Sequence, residues 1–89
     1  MAWKIEFDPI ARRELEKLDK PVSRRILKFL YERVAKLDKP RTIGSRLQGT
    51  LREFWKYRVG DYRVICSLEH DRLVVLVLRV GHRREVYKR

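Results

Sequence analysis

Three cationic side chains on one predicted β-hairpin could bind a phosphate group. Gly60-Asp61 suits a two-residue type II′ turn, because glycine tolerates the positive φ at the first central position. Such a turn pairs Arg58 with Arg63 directly, and Lys56 shares their face because side chains alternate along a strand. A directly opposed like-charge pair destabilises a sheet. The pattern therefore predicts an anion-binding face, unless the register slips by one residue or acidic loop residues neutralise the pair.

The overall charge favours the same chemistry. The 89 residues include 23 Lys and Arg against 12 Asp and Glu, a formal net charge of +11 at pH 7. This exceeds the magnitude of about 2–8 that is typical of a small soluble domain. An excess of this size indicates binding to a nucleic-acid backbone, although an anionic membrane surface, an acidic protein partner or plain solubility would also explain it.

The C-terminal stretch adds two candidate bases. Tyr87 lies in a segment dense in cations, and nearby cations lower the pKa of a tyrosine from about 10 because they favour the phenolate. Such a phenolate can act as a general base, but the ring could equally pack against the sheet. His82 is open in the same way: it could be a base, an RNA contact or a bystander.

No motif supplies another chemistry. The two His and the scattered carboxylates show no metal-ligand spacing, and we find no phosphate-cradling glycine loop and no Ser/His/Asp set. We therefore expect no metal and no cofactor. If the cationic face cleaves a phosphodiester, a ribose 2′-OH should attack the adjacent phosphorus while the cations stabilise the negative charge that develops.

A small α+β fold is predicted to position these residues. Residues 3–7 alternate apolar and polar, which indicates a strand, and Asp8-Pro9 then begins a helix. A second, longer helix begins near Pro21 and carries apolar residues on one face as far as Leu37. After a loop at 38–50, three more strands are predicted at 54–59, 62–68 and 73–80. The predicted order is β-α-α-β-β-β, an antiparallel sheet with a helical hairpin on one face, in a single domain over residues 1–89.

Cysteine use and hydropathy predict the compartment. Cys66 is the only cysteine, so no internal disulfide can form, and strand alternation places it on the core side as an inert small hydrophobe. The N-terminus lacks the apolar run of a signal peptide, and no stretch approaches the roughly 18 apolar residues of a membrane span. We expect a cytoplasmic protein that does not bind a membrane.

Three stretches resemble the RelE family of toxin–antitoxin toxins. They are residues 47–49, 55–64 and 80–87 (LQG, WKYRVGDYRV and VGHRREVY), and the opening strand and two helices fit the family as well. The resemblance covers nearly the whole chain. It implies the RelE-like microbial ribonuclease fold and an endoribonuclease that enters the ribosomal A site and cuts mRNA there without a metal ion. It also implies a RelB-type antitoxin as partner.

The same resemblance implies a role for each candidate residue. Lys56 and Arg58 would hold or activate the scissile phosphate, and Arg63 would stabilise it. Arg83 would protonate the leaving 5′-oxygen, while Tyr87 would act as base toward the 2′-OH and as a stacking platform. Further RNA contacts are expected from Arg52, His82, Arg84 and Lys88. Arg58 stands where the best-known member has Lys, and related toxins use a C-terminal His as base, so the choice between His82 and Tyr87 stays open.

Two other functions remain as alternatives. ParE-type toxins share this architecture and poison DNA gyrase as binding proteins, but they generally lack the full set of cations together with a tyrosine. An inactive relative would bind RNA without cutting it. Translation arrest on expression would favour the nuclease, and DNA damage would favour the gyrase inhibitor.

Overall fold

The computed structural model of the chain describes residues 2–47 and 54–82. Within them are five strands, two α-helices and two short helical turns. The strands are β1 (Lys4–Phe7), β2 (Ser45–Arg46), β3 (Trp55–Val59), β4 (Tyr62–Glu69) and β5 (Val74–His82). The helices are α1 (Pro9–Lys17) and α2 (Lys20–Phe29). The predicted α+β class is confirmed.

The first helix begins where the sequence predicts, whereas the second changes its type before its predicted end. Asp8 caps α1, because its carboxylate accepts a hydrogen bond from the Ile10 backbone N–H at 2.9 Å. The predicted long second helix is an α-helix only as far as Phe29; a π-helical turn (Leu30–Val34) continues it. In this turn both Leu30 and Val34 are fully buried. None of the helices in residues 2–47 and 54–82 is long and apolar enough to cross a membrane.

The sheet is mixed, with the strand order β1-β5-β4-β3-β2. Strands β2, β3, β4 and β5 pair in antiparallel fashion, but β1 runs parallel to β5. The prediction of a purely antiparallel sheet is therefore wrong for β1. Parallel neighbours need a long crossover connection, and the helical hairpin together with β2, β3 and β4 provides it here. The two-residue strand β2 lies in the segment that the sequence assigned to a loop.

The core lies between the helices and one face of the sheet. Its fully buried side chains include Ile26 and Leu30 from the helical segment and Val64, Cys66 and Val77 from the sheet. The strand alternation that puts Cys66 on the core side predicts the same face for Trp55, Tyr57, Val59, Tyr62, Val64 and Leu68. This prediction is confirmed: Tyr57, Val59, Val64 and Cys66 are buried, and Trp55, Tyr62 and Leu68 pack against them. Burial raises the pKa of the Cys66 thiol, which keeps it protonated and inert at neutral pH.

Candidate functional site

The hairpin that joins β3 to β4 has the predicted register. Gly60 adopts a φ of 60°, whereas Asp61 is not among the residues with positive φ, as a type II′ turn requires. Val59 pairs with Tyr62, and Arg58 pairs with Arg63. The one-residue slip that the sequence left open does not occur.

The three hairpin cations line a common groove on the sheet face away from the helices. Lys56, Arg58 and Arg63, together with Gly44 and Ser45, surround a depression of about 330 Å³. Arg58 is exposed, and Lys56 and Arg63 are half-buried. This volume is at the lower end of small-ligand pockets, roughly 300–1,000 Å³. We call this site the cationic groove.

No carboxylate of residues 2–47 and 54–82 forms a salt bridge with Arg58 or Arg63. The salt bridges within these residues lie elsewhere, between Arg72 and Glu6 or Glu69 and between Arg79 and Glu14. Within the same residues no three His, Cys, Asp or Glu side chains are grouped so as to hold a metal ion. The cationic groove therefore presents positive charge that attracts an anion.

Two aromatic side chains of β3 fasten the segment that forms one wall of the groove. The Trp55 indole Nε1 donates to the Ile43 carbonyl at 2.8 Å, and the Tyr57 hydroxyl donates to the Pro40 carbonyl at 2.8 Å. Burial raises the pKa of Tyr57, so its phenol stays a neutral donor. Tyr57 therefore has a structural role, although it lies between Lys56 and Arg58 in the chain.

Gly44 and Ser45 complete this wall, and the sequence reasoning missed both. Gly44 has a φ of 80°, and a Cβ built there would lie 2.5 Å from the Lys56 carbonyl oxygen. Only glycine fits so close to β3 in this conformation. Ser45 pairs with Lys56. The available signal was a glycine followed by a small polar residue in a predicted loop, which is too common to identify a site.

At the end of β5, Gly81 and His82 occupy positions on opposite faces of the sheet. Gly81 pairs with Arg63, is buried, and is not among the residues that line the groove. His82 pairs with Tyr62, and their rings meet edge to face at 5.8 Å between centroids. Tyr62 packs against the core, so His82 lies on the opposite face of the sheet from Arg63. The described structure does not bring His82 into the groove.

Five of the predicted site residues lie outside the described residues: Arg52, Arg83, Arg84, Tyr87 and Lys88. Their roles stay predictions. β5 ends at His82, and Arg83 is the next residue in the chain.

Comparison with known families matches residues 5–87 to the family described as the ParE toxin of the type II toxin–antitoxin system, parDE. Two proteins are similar over nearly their whole length. Toxin RelG of Mycobacterium tuberculosis is 28% identical over 89 residues, covering 100% of both chains. The mRNA interferase toxin RelE of Escherichia coli is 33% identical over 90 residues, covering 98% of this chain and 92% of RelE.

Solved structures agree with the predicted fold. A RelBE toxin–antitoxin complex of Mycobacterium tuberculosis superposes with a TM-score of 0.84 at 26% identity, covering 93% of each chain. The archaeal RelE–RelB complex of Pyrococcus horikoshii has a TM-score of 0.73 at 28% identity, covering 93% of this chain and 97% of that one. Both are complexes of a RelE protein with a RelB protein.

Proposed function

The chain belongs to the RelE/ParE superfamily of type II toxin–antitoxin toxins and is of the RelE type, and from this we propose that it cleaves mRNA in the ribosomal A site. The reaction we propose is metal-independent: the ribose 2′-OH attacks the adjacent phosphorus and the 5′-oxygen leaves. The printed name of the Escherichia coli relative, an mRNA interferase, supports this activity.

The observation that carries the proposal is the cationic groove. Lys56, Arg58 and Arg63 meet around one depression with no salt-bridging carboxylate on either arginine from residues 2–47 and 54–82. In-line attack at phosphorus adds negative charge to the non-bridging oxygens. Preorganised cations at that point stabilise the transition state more than the ground state. We assign this task to the three groove cations.

Proton transfer is assigned to the chain that follows β5. We propose Tyr87 as the base toward the 2′-OH and Arg83 as the donor to the leaving 5′-oxygen. His82 is not assigned the base, because its ring meets Tyr62 on the other face of the sheet. Arg52, His82, Arg84 and Lys88 stay proposed RNA contacts.

The small size of the groove supports the proposal that the ribosome is required. A depression of about 330 Å³ that opens on a sheet face holds one phosphate and its neighbours but does not fix the backbone of a flexible mRNA. In-line geometry is worth several orders of magnitude in rate. We propose that the ribosome supplies it, so the free protein should cut naked RNA poorly.

The neighbouring complexes support a RelB-like antitoxin as partner. We propose that the antitoxin neutralises the toxin by covering its cationic surface with an acidic or apolar segment. Since mRNA and ribosomes are the targets, we place the protein in the cytoplasm.

A ParE-type inhibitor of DNA gyrase is the second candidate, because the matched family is described by that toxin. A binding protein of this kind has no chemical step. The nuclease, by contrast, needs cations grouped at one phosphate for its chemical step, and Arg58 and Arg63 are paired beside one depression of about 330 Å³. The groove favours the nuclease.

The test is primer extension on a reporter mRNA translated in vitro, with and without the purified protein. Cuts confined to translated codons, and lost in Arg63→Gln and Arg83→Gln, are expected. Arg24→Gln, an exposed arginine of α2, is the matched control and should cut like the wild type. Uncut mRNA with unaffected translation would contradict the proposal, and gyrase supercoiling assays would then test the second candidate.

A further inference from the structure

The carboxylate of Glu14, a residue of α1, is hydrogen-bonded to β5. In the sheet, β4 and β3 separate β5 from β2. The Glu14 Oε1 accepts a hydrogen bond from the Val80 backbone N–H at 2.7 Å. The other oxygen, Oε2, accepts from Arg79 Nε at 3.0 Å and lies 3.0 Å from Arg79 Nη2. The Glu14 side chain therefore bonds to the side chain of Arg79 and to the backbone of Val80, two successive residues of β5. We call this arrangement the Glu14 clamp.

The Glu14 clamp lies beside the part of β5 that extends beyond the end of β1. The pairing of β1 with β5 ends where the Asp8 N–H bonds to the Val77 carbonyl at 2.8 Å, because Pro9 then begins α1. Beyond Val77, the strands formed by residues 2–47 and 54–82 give β5 a neighbour only on its β4 side. Val80 is 1% exposed, so its N–H needs a protein acceptor. Glu14 is that acceptor.

A bulge directs this N–H toward Glu14. Ile65 pairs with Arg79 but Cys66 pairs with Val77, so Leu78 is an extra residue on β5. A bulge bends its strand and changes which way the following backbone groups point. The bent segment of β5 is thus held by β4 on one side and by the Glu14 clamp on the other.

The residue after the clamp is paired with an arginine of the cationic groove. Gly81 follows Val80 and pairs with Arg63. β4 pairs with β5 as far as His82, and the Glu14 clamp holds the two residues that precede Gly81, Arg79 and Val80. Glu14 is the one side chain of the described residues that bonds to both.

We propose that Glu14 is a positioning residue for the reaction: by clamping Arg79 and Val80 it fixes the end of β5 beside Arg63, without itself touching the RNA. This inference rests on the proposed nuclease function. Misplacement by about 1 Å at a catalytic group is enough to lower a rate roughly 100-fold. The charge of Glu14 matters because its two oxygens face two donors at once.

The first experiment follows the clamp itself. Amide hydrogen exchange is measured by NMR in the purified full chain for wild type, Glu14→Ala, Glu14→Gln and Glu16→Ala. Glu16 is an exposed glutamate of the same helix and is the matched control. We expect exchange at Val80 to be at least tenfold faster in Glu14→Ala, intermediate in Glu14→Gln and unchanged in Glu16→Ala, with Val64 of β4 unaffected in all of them.

The second experiment follows the reaction. Single-turnover cleavage of mRNA on programmed ribosomes is measured against toxin concentration, well below each variant's melting temperature. Glu14→Ala should lower the maximal rate at least tenfold and change the half-saturating concentration less than twofold. Glu14→Gln should lie between, since its amide oxygen still accepts from Val80 while its NH2 faces Arg79. Arg79→Ala leaves the hydrogen bond from the Val80 N–H to Glu14 in place, so it should lower the maximal rate less than Glu14→Ala does.

The outcomes separate the inference from the proposed function. Absence of cleavage by the wild-type chain overturns the proposed function and the catalytic consequence of the clamp together. Wild-type cleavage with an unchanged maximal rate in Glu14→Ala and Glu14→Gln overturns the inference alone. Lower melting temperatures with unchanged maximal rates would mean that Glu14 only stabilises the fold. If Glu14→Ala does not fold, Glu14→Gln and Arg79→Ala decide the question.

Discussion

Arg58 and Arg63 occupy directly paired positions across the β3–β4 hairpin. No salt bridge to either guanidinium comes from residues 2–47 and 54–82. Two opposed cations raise the free energy of the folded sheet, and an anion bound between them lowers it again. Stability and ligand binding therefore oppose each other at this pair, as they often do at functional sites.

The first prediction concerns the stability of the hairpin. Arg58→Gln should raise the free energy of unfolding by about 0.2–1 kcal/mol at low salt, because it removes the like-charge pair. The gain should shrink in 1 M salt, where the Debye length is about 3 Å. Urea denaturation at both salt concentrations measures it. Lys4→Gln is the control, since Lys4 is an exposed strand cation paired with Val74; an equal salt effect in both variants would contradict the prediction.

The second prediction concerns the chemical step. Arg63→Gln should lower the single-turnover rate on programmed ribosomes by about 100- to 1,000-fold, the usual loss when one preorganised donor to a developing charge is removed. The guanidinium of Arg63 also donates to the Tyr62 carbonyl at 3.2 Å, but this contact is local and the fold should survive. Arg24→Gln carries the same charge change on α2. Equal losses in the two variants would indicate a general charge effect and not a groove effect.

The third prediction tests the glycine at the groove wall. Gly44→Ala should lower the free energy of unfolding by about 1–3 kcal/mol, since alanine at a φ of 80° is strained and its Cβ would meet the Lys56 carbonyl. Gly60→Ala should lower the free energy of unfolding by a smaller amount. Its Cβ would lie 3.1 Å from the Arg25 guanidinium, which is the movable end of a side chain. Urea denaturation ranks the two. The reverse order would show that Gly44 does not approach β3 as closely as described.

The fourth prediction concerns alkaline pH. Burial raises the pKa of the Cys66 thiol above its ordinary value of 9.0, so the folded state keeps a proton that the unfolded state releases. The contribution of the buried thiol to the free energy of unfolding is complete below pH 9. It is lost as pH rises, by about 1.4 kcal/mol for each pH unit. Between pH 9 and 10 the wild type should therefore lose stability more steeply than Cys66→Ala, although the variant is less stable at pH 7. Urea denaturation at each pH measures the free energy of unfolding of both proteins. Parallel declines with pH in the wild type and in Cys66→Ala would contradict this prediction.

Local rules predicted the hairpin and the groove cations. The two-residue turn at Gly60-Asp61 fixes which residues pair, and strand alternation then fixes the faces, so Lys56, Arg58 and Arg63 could be placed together from the sequence. The same reasoning placed Tyr57 and Cys66 in the core. These outcomes depend on contacts between residues that are close in the chain.

Non-local contacts account for what the sequence did not predict. The parallel pairing of β1 with β5 joins segments about seventy residues apart, and neither segment shows which direction its neighbour takes. Strand β2 has two residues, too few for a period of two to be visible. In the sequence, Glu14 is one of several charged residues of the first helix, and nothing distinguishes it from the others. Its partners are a bulge and a strand end, which only the folded chain reveals.

The position of β5 also sets the time at which this protein can fold during its own synthesis. β5 lies between β1 and β4, so it is the strand that connects the first-made part of the sheet to the rest, and it is the last of the five to be translated. Until its residues leave the ribosome, the described part of the chain offers β1 no neighbour in the sheet, and the apolar face of α1 lacks much of its cover. Formation of the sheet must then close a long chain loop, which is slow compared with local pairing. Until β5 has left the ribosome, a nascent chain therefore has no completed sheet, and Arg63 of the cationic groove lacks the β5 residue with which it pairs.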